Sequence, residues 1–353
     1  EPGKHAFAPS SRWLNERAEI TRRCCGADAG RAGLLVTPLF EGIIHSRTAV
    51  ANRVVLSYLK CRAFEPSFDF SNRFDLRSAT FVPWNALFAY IPRRVAWLVD
   101  EMRRILPENR QHLTKIAHRG ASAYAPENSL DAFRIAADMG ADLVEVDIRV
   151  TSDGVPVVAH DNTLTRVFGV EAVIAERTLA ELRALTPPGM AAIPTFDEVA
   201  QTCADLNIGL YLDIKEFDVN IGAQVINSLW RHSLIWRSIA GSFRADWLAD
   251  LKAVEPQLMT SILFSAVRLD PVALARSVRA DYVHPCWERR DPKPHTLLTP
   301  QWIERVHDAG LGIVCWHEER PDEIAALRAL GVDAICSDTP DRLAVHQVEC
   351  GEG

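Results

Sequence analysis

From residue 114 onward, short apolar runs alternate with stretches of helical periodicity, and that alternation leaves few folds open. Strand-like runs fall at 115–118, 143–148, 156–160, 210–214, 238–242, 261–264, 282–284 and 312–316, with a further short run at 333–336. Most are separated by segments whose apolar residues recur at three- and four-residue spacing, at 129–139, 178–184, 195–203, 223–232, 300–309 and 321–330. Apolar runs without alternation suit strands buried on both faces, and a helix between two strands supplies the crossover that a parallel pair needs. The class is α/β, and the arrangement fits a TIM-type (β/α)8 barrel, somewhat irregular, with an extra N-terminal region. Gly140, Gly310 and Gly331 stand where left-handed helix caps are expected. One link departs from the pattern. The run from Val150 to Val155, VTSDGV, is too short for a crossover helix and reads as a tight turn, so the second and third segments form a hairpin. Nine segments then compete for eight places, and which one is extra stays open.

A barrel of this kind takes about 250 residues, so a 353-residue chain has roughly 100 to spare. We divide it into an N-terminal extension at 1–113, a barrel at 114–345 and a C-terminal tail at 346–353. The extension lacks regular alternation and carries aromatic clusters such as Phe64, Phe68, Phe70 and Phe74. Its clearest element is a helix opened by Pro92 and stopped by Pro107, with Val95, Leu98, Val99, Met102, Ile105 and Leu106 at helical spacing. Its arginines, Arg93, Arg94, Arg103 and Arg104, suit a solvated face. The extension is expected to cover the barrel or to mediate interaction, a homo-oligomer included.

The net charge of −7 argues against nucleic acid or an anionic membrane as partner. No run reaches the roughly 18 apolar residues of a spanning helix, so stable membrane insertion is not expected. The eight cysteines are scattered, without paired zinc-ligand spacing, and suit reduced thiols in a cytoplasmic protein. The sequence opens at Glu1 rather than methionine, which leaves a removed leader open.

The strand ends carry the chemistry. His118 and Arg119 close the first segment, His160 and Asp161 the third, and Trp316 and His317 a late one. Glu145 and Asp147 lie two apart, so both point to one face of their strand, and Asp213 and Lys215 repeat the spacing. At the C-terminal mouth of a barrel these groups would gather. Three carboxylates crowded together repel unless a cation joins them, and hard oxygen ligands favour magnesium or calcium, with manganese a third option. Two imidazoles are a natural pair for general base and general acid near neutral pH. Arg119 and Lys215 can neutralise phosphate oxygens. Taken singly, each of these residues has an ordinary structural role; their joint placement points to phosphoryl chemistry. If the hairpin forms, Asp147 and His160 lie nearly opposite each other across it.

Residues 116–167, IAHRGASAYAPENSLDAFRIAADMGADLVEVDIRVTSDGVPVVAHDNTLTRV, closely resemble the opening signature of glycerophosphodiester phosphodiesterases. The ordered segments are His118-Arg119-Gly120, Pro126-Glu127-Asn128-Ser129, Glu145-Val146-Asp147, Thr151-Ser152-Asp153-Gly154 and His160-Asp161. IPTFDEV at 193–199, LDIK at 212–215, GSF at 241–243 and SDTP at 337–340 continue the likeness to about residue 345. The resemblance implies that His118 and His160 are the acid–base pair. It implies that Glu145, Asp147 and Asp213 bind one divalent metal, and that Arg119 and Lys215 contact phosphate. It also places Glu127 and Asn128 near the site and makes Trp316 a wall for the alcohol group. Asn128 is equally a candidate cap for the helix that follows. Two departures stand out besides the extension. Aspartate at 213 replaces the family's frequent glutamate, and Trp316-His317-Glu318-Glu319 replaces a late WTVN motif.

The expected activity is hydrolysis of a small-molecule phosphodiester to a phosphomonoester and an alcohol, with glycerol as the family's default head group. The alternatives are a sugar phosphodiester of the agrocinopine opine type and a phospholipase D-like barrel acting on lysophospholipid or sphingomyelin. A non-catalytic binding barrel would be marked by loss of a histidine or a ligand acid, and all are present.

Overall fold

The computed structural model describes residues 112–344. The readings above that concern the extension up to residue 111 and the tail from residue 345 lie outside them. Nine strands form one sheet: β1 (Thr114–Ala117), β2 (Leu143–Val150), β3 (Pro156–Val158), β4 (Gly209–Ile214), β5 (Ser238–Ser242), β6 (Met259–Phe264), β7 (Tyr282–Pro285), β8 (Gly312–Cys315) and β9 (Ala334–Ser337). Parallel pairing runs from β1 through β2, β4, β5, β6, β7, β8 and β9 and back to β1. The result is a closed (β/α)8 barrel, and closure leaves no edge at either end of its run of eight parallel strands.

The extra segment is β3. β2 is the longest strand and does two jobs along one edge. Leu143 and Val144 pair with β1, while Ile148, Arg149 and Val150 lie beyond the reach of β1 and pair antiparallel with Val158, Val157 and Pro156. The hairpin expected from the TSDG turn therefore stands on the rim of the barrel. Gly154 takes the left-handed conformation, φ 75°, that closes it.

Nine α-helices connect and surround the strands within the described residues: α1 (Leu130–Asp138), α2 (Thr165–Phe168), α3 (Leu179–Ala184), α4 (Phe196–Asp205), α5 (Val219–Arg231), α6 (Ala245–Val254), α7 (Pro271–Val278), α8 (Pro300–Asp308) and α9 (Pro321–Leu330). Their starts follow local chemistry. Thr178 and Thr195 open α3 and α4 with reciprocal capping boxes to Glu181 and Glu198. Asp270 and Thr299 cap α7 and α8 ahead of a proline in the first turn. None of the described helices is long and apolar enough to cross a membrane.

The strands are buried on both faces. Outward residues such as Val144, Val146, Leu210 and Leu212 pack against Phe133 of α1 and Phe196 of α4. Inward residues fill the barrel with Ile116, Leu143, Tyr211, Ile239, Met259, Tyr282 and Val314. The fit is close: a Cβ added at Gly241 on β5 would come within 2.6 Å of the Tyr211 hydroxyl. Because side chains alternate along a strand, the residues two and four beyond Leu143 also point inward, and these are Glu145 and Asp147. The apolar floor thus gives way to carboxylates at the C-terminal mouth.

Candidate active site

Asp147 on β2 and Asp213 on β4 are direct partners in the strand register, and Glu145 pairs with Tyr211 one layer deeper. All three acids are buried, at no more than 2% exposure, and offer ligand oxygens that lie within 4.8 Å of one another. Two cations serve them. The Lys215 ammonium lies 2.5 Å from Asp213 Oδ2 and 3.2 Å from Asp147 Oδ1. The Arg119 guanidinium reaches Asp147 at 3.4 Å, and the Arg119 backbone N–H donates to Glu145 Oε2 at 2.8 Å. One oxygen of each acid, Glu145 Oε1, Asp147 Oδ1 and Asp213 Oδ1, accepts no hydrogen bond.

The electrostatics divide the trio. Burial first, and then the neighbouring acids, hold the Glu145 carboxyl well above its ordinary range. Burial also pushes Asp213 up to about 6, with Lys215 pulling the other way. Asp147 is buried too, yet Lys215, Arg119, His160 and Asn128 together bring it below its usual value. Two cations serve three sunken acids whose ligand oxygens converge; Asp147 Oδ1 is met by Lys215 at 3.2 Å, while Glu145 Oε1 and Asp213 Oδ1 have no partner. That arrangement fits a hard divalent cation and makes the trio a candidate metal site.

His118 closes β1 and is buried. Its Nδ1 meets Asp338 Oδ1 at 2.6 Å, and its Nε2 has no partner. Burial lowers its pKa more than Asp338 raises it, so the ring is neutral at neutral pH. The His118 hydrogen bond and the neighbouring charges hold Asp338 down to about 2, although burial opposes this. Gly120 follows at φ 81°, and a Cβ there would meet Ala132 at 2.7 Å, so only glycine lets α1 pack this close behind the HRG turn.

The remaining residues form the rim. Glu127 accepts from Arg119 at 3.0 Å and is clamped by both arms of Arg166, which also binds Asp161. Asp161 in turn holds His160 Nδ1 at 2.7 Å. A chain of ion pairs therefore ties His160 to Arg119 and so to the acids. Ala159, rather than His160, stands opposite Asp147, its N–H donating to the Asp147 carbonyl at 3.0 Å. The strand ends at Val158, and the chain turns so that His160 still counts among the charges felt by Asp147. Asn128 is not the helix cap. Ser129 caps α1, while Asn128 sits at φ 56° and donates to Asp147 Oδ2 at 2.9 Å. Trp316 follows β8, with Lys215 Nζ 5.4 Å from its ring centre and the exposed Phe243 ring at 6.3 Å.

All ten candidate residues thus meet at one mouth. Two neighbours went unassigned in the sequence. Asp338 was visible only as part of SDTP, and His317 as a strand-end residue and a departure in WHEE with no role assigned. His317, His118 and Asp338 form a second group with ligand atoms within 4.8 Å. The two rings lie 4.5 Å apart and only 11° from parallel, so their in-plane lone pairs do not converge on one ion. Among the described residues Cys203, Cys286, Cys315 and Cys336 are free thiols.

Residues 118–342 match the Glycerophosphoryl diester phosphodiesterase family. A glycerophosphodiester phosphodiesterase from Caldanaerobacter subterraneus is 29% identical over 238 residues, 65% of this chain and 95% of the relative. The glycerophosphodiester phosphodiesterase structure from Thermotoga maritima is 25% identical, aligns with a TM-score of 0.54, and pairs 65% of this chain with 96% of its own. An Oleispira antarctica phosphodiesterase, solved in complex with the product sn-glycerol-3-phosphate, shares the fold at 24% identity and a TM-score of 0.57, over 65% of this chain and 94% of that one. The family match and these relatives make this protein a phosphoric diester hydrolase. The chain belongs to the glycerophosphoryl diester phosphodiesterase family, and glycerophosphodiester phosphodiesterase activity is its supported function.

Proposed function

We propose that the protein hydrolyses a glycerophosphodiester to a phosphomonoester and an alcohol, with His118 and His160 moving the protons and Glu145, Asp147 and Asp213 holding one divalent cation, magnesium or calcium. The observation that carries this reading is three buried acids whose ligand oxygens lie within 4.8 Å of one another, with Glu145 Oε1 and Asp213 Oδ1 unpartnered, together with a buried imidazole whose Nε2 is bare. A cation held by those oxygens would supply charge neutralisation and Lewis acidity at a phosphoryl oxygen.

The chain's own groups define the rest. Asp338 is ionised and accepts from Nδ1, which assigns the His118 proton to Nδ1 and leaves a lone pair on Nε2. His118 is therefore the base that takes a proton from the nucleophile as its oxygen bonds to phosphorus, and His160 gives one to the alcohol oxygen as its bond to phosphorus breaks; the nucleophile is water, or a substrate hydroxyl that forms a cyclic phosphate which water then opens. Arg119 and Lys215 are already drawn toward the mouth by the acids and neutralise the phosphate. Glu127 fixes Arg119, Asn128 fixes Asp147, and Trp316 walls the alcohol side.

A second reading, a sugar phosphodiester of the agrocinopine type, is favoured by the polar His317 and Glu319 beside Trp316. The test is phosphate-ester release by the purified full chain from a panel of glycerophosphodiesters, sugar phosphodiesters and lysophospholipids, with and without EDTA. Turnover of a glycerophosphodiester that is abolished by EDTA and restored by magnesium, calcium or manganese is the expected outcome. Turnover that survives thorough chelation would remove the metal from the reading.

A further inference from the structure

His118 is held at one atom by Asp338, and a single hydrogen bond does not fix a ring. The imidazole can still rock about its Cβ–Cγ bond, which would swing Nε2 away from the acids. Contact on the flat face of the ring opposes that motion. His317 supplies it, stacked on His118 at 4.5 Å and 11°, while Trp316 meets the same ring edge-on at 5.9 Å and 74°. The His317 Nε2 faces Glu319 Oε2 at 3.9 Å, beyond hydrogen-bond length, while Glu319 Oε1 accepts the backbone N–H of Asp338 at 3.0 Å. Asp338 thus holds His118 by its edge, and His317 covers its face.

We propose that His317 is a positioning residue, whose ring face fixes the plane of His118 and so the direction of Nε2 toward the phosphodiester. The inference rests on the reading of His118 as an acid–base group. A planar side chain is required because only a flat ring covers the imidazole face in parallel. The polar edge of a histidine suits a side chain that is 26% exposed at the mouth.

The experiment compares steady-state kinetics of the full chain, loaded with magnesium, in four variants. His317→Ala should lower kcat about tenfold with KM within about twofold, because misdirection of a proton-transfer group acts on the chemical step. His317→Phe keeps the flat face without the nitrogens and should recover kcat to within about threefold of the parent. His317→Leu fills a comparable space without a flat face and should stay as slow as His317→Ala, which separates stacking from mere packing. Parental kcat in His317→Ala, or His317→Phe no faster than His317→Leu, overturns the proposal. His118→Ala separates the two readings. If it retains parental kcat, the acid–base assignment itself falls. If it is inactive while His317→Ala is normal, only the positioning role falls.

Discussion

His118 Nδ1 and Asp338 Oδ1 lie 2.6 Å apart although 220 residues separate them in the chain. The contact joins the first barrel strand to the turn after the last, across the point where the barrel closes. Ser122 Oγ lies 2.8 Å from the same Asp338 oxygen, so the carboxylate is held before it holds the ring.

Asp338→Asn keeps the shape of this contact and removes its charge. The amide no longer requires a proton on Nδ1, and the wrong tautomer of His118 becomes competitive. We predict that kcat falls about a hundredfold with little change in KM. Steady-state kinetics beside a thermal melt checks this, and an unchanged kcat would remove Asp338 from the orientation of His118.

The two histidines should also differ in what their loss does. His118→Ala and His160→Ala are each expected to lower turnover by about a hundredfold or more. A substrate with a highly acidic leaving alcohol needs no proton on departure, so it should recover much of the loss in His160→Ala and little in His118→Ala. Equal recovery in both would reverse or cancel the assignment of base and acid.

Asp213 makes a stability prediction of unusual sign. Its carboxyl is raised to about 6 in the folded protein from an ordinary 3.8. A carboxyl shifted this way stabilises the fold most below its unfolded value and loses that contribution as pH rises through the folded one. The metal-free protein therefore carries a penalty on the order of 2–3 kcal/mol from this group above about pH 6. Asp213→Asn should be more stable than the parent at pH 7.5 in EDTA, with the advantage gone near pH 4, while losing activity. Urea unfolding at both pH values measures it. An advantage that does not depend on pH would show that ionisation of Asp213 is not its source.

Gly120→Ala should cost at least about 2 kcal/mol and reduce activity. The substitution adds a methyl 2.7 Å from Ala132 Cβ and forces a side chain onto a left-handed backbone at φ 81°. Relief requires α1 to retreat, which would move Asn128 off Asp147. Chemical denaturation and kcat on one preparation test both effects, and a fully stable variant would mean that α1 can shift freely.

Local pattern alone determined a large part of this protein. Strand parity put Glu145 and Asp147 on one face, and the TSDG turn marked the hairpin, because period and turn chemistry are properties of neighbouring residues. The HRG, PENS, EVD, HD and LDIK segments, with the tryptophan of WHEE, likewise named the ten residues that meet at the mouth. Helices α2, α6 and α7 were not read. In α6, Trp247 and Ala249 find cover as well as Leu248 and Leu251, so the apolar stripe is too broad to signal a helix clearly. Only the tertiary structure decided that β3 is the strand left out, since that depends on where β1 ends beside β2. It also chose Ser129 over Asn128 as the cap, because Asn128 had a better partner in Asp147. Above all it brought Asp338 and His317 to His118 and separated the acids into one held down and two pushed up. Burial and charge act through distance in space, and barrel closure sets those distances between residues far apart in the chain.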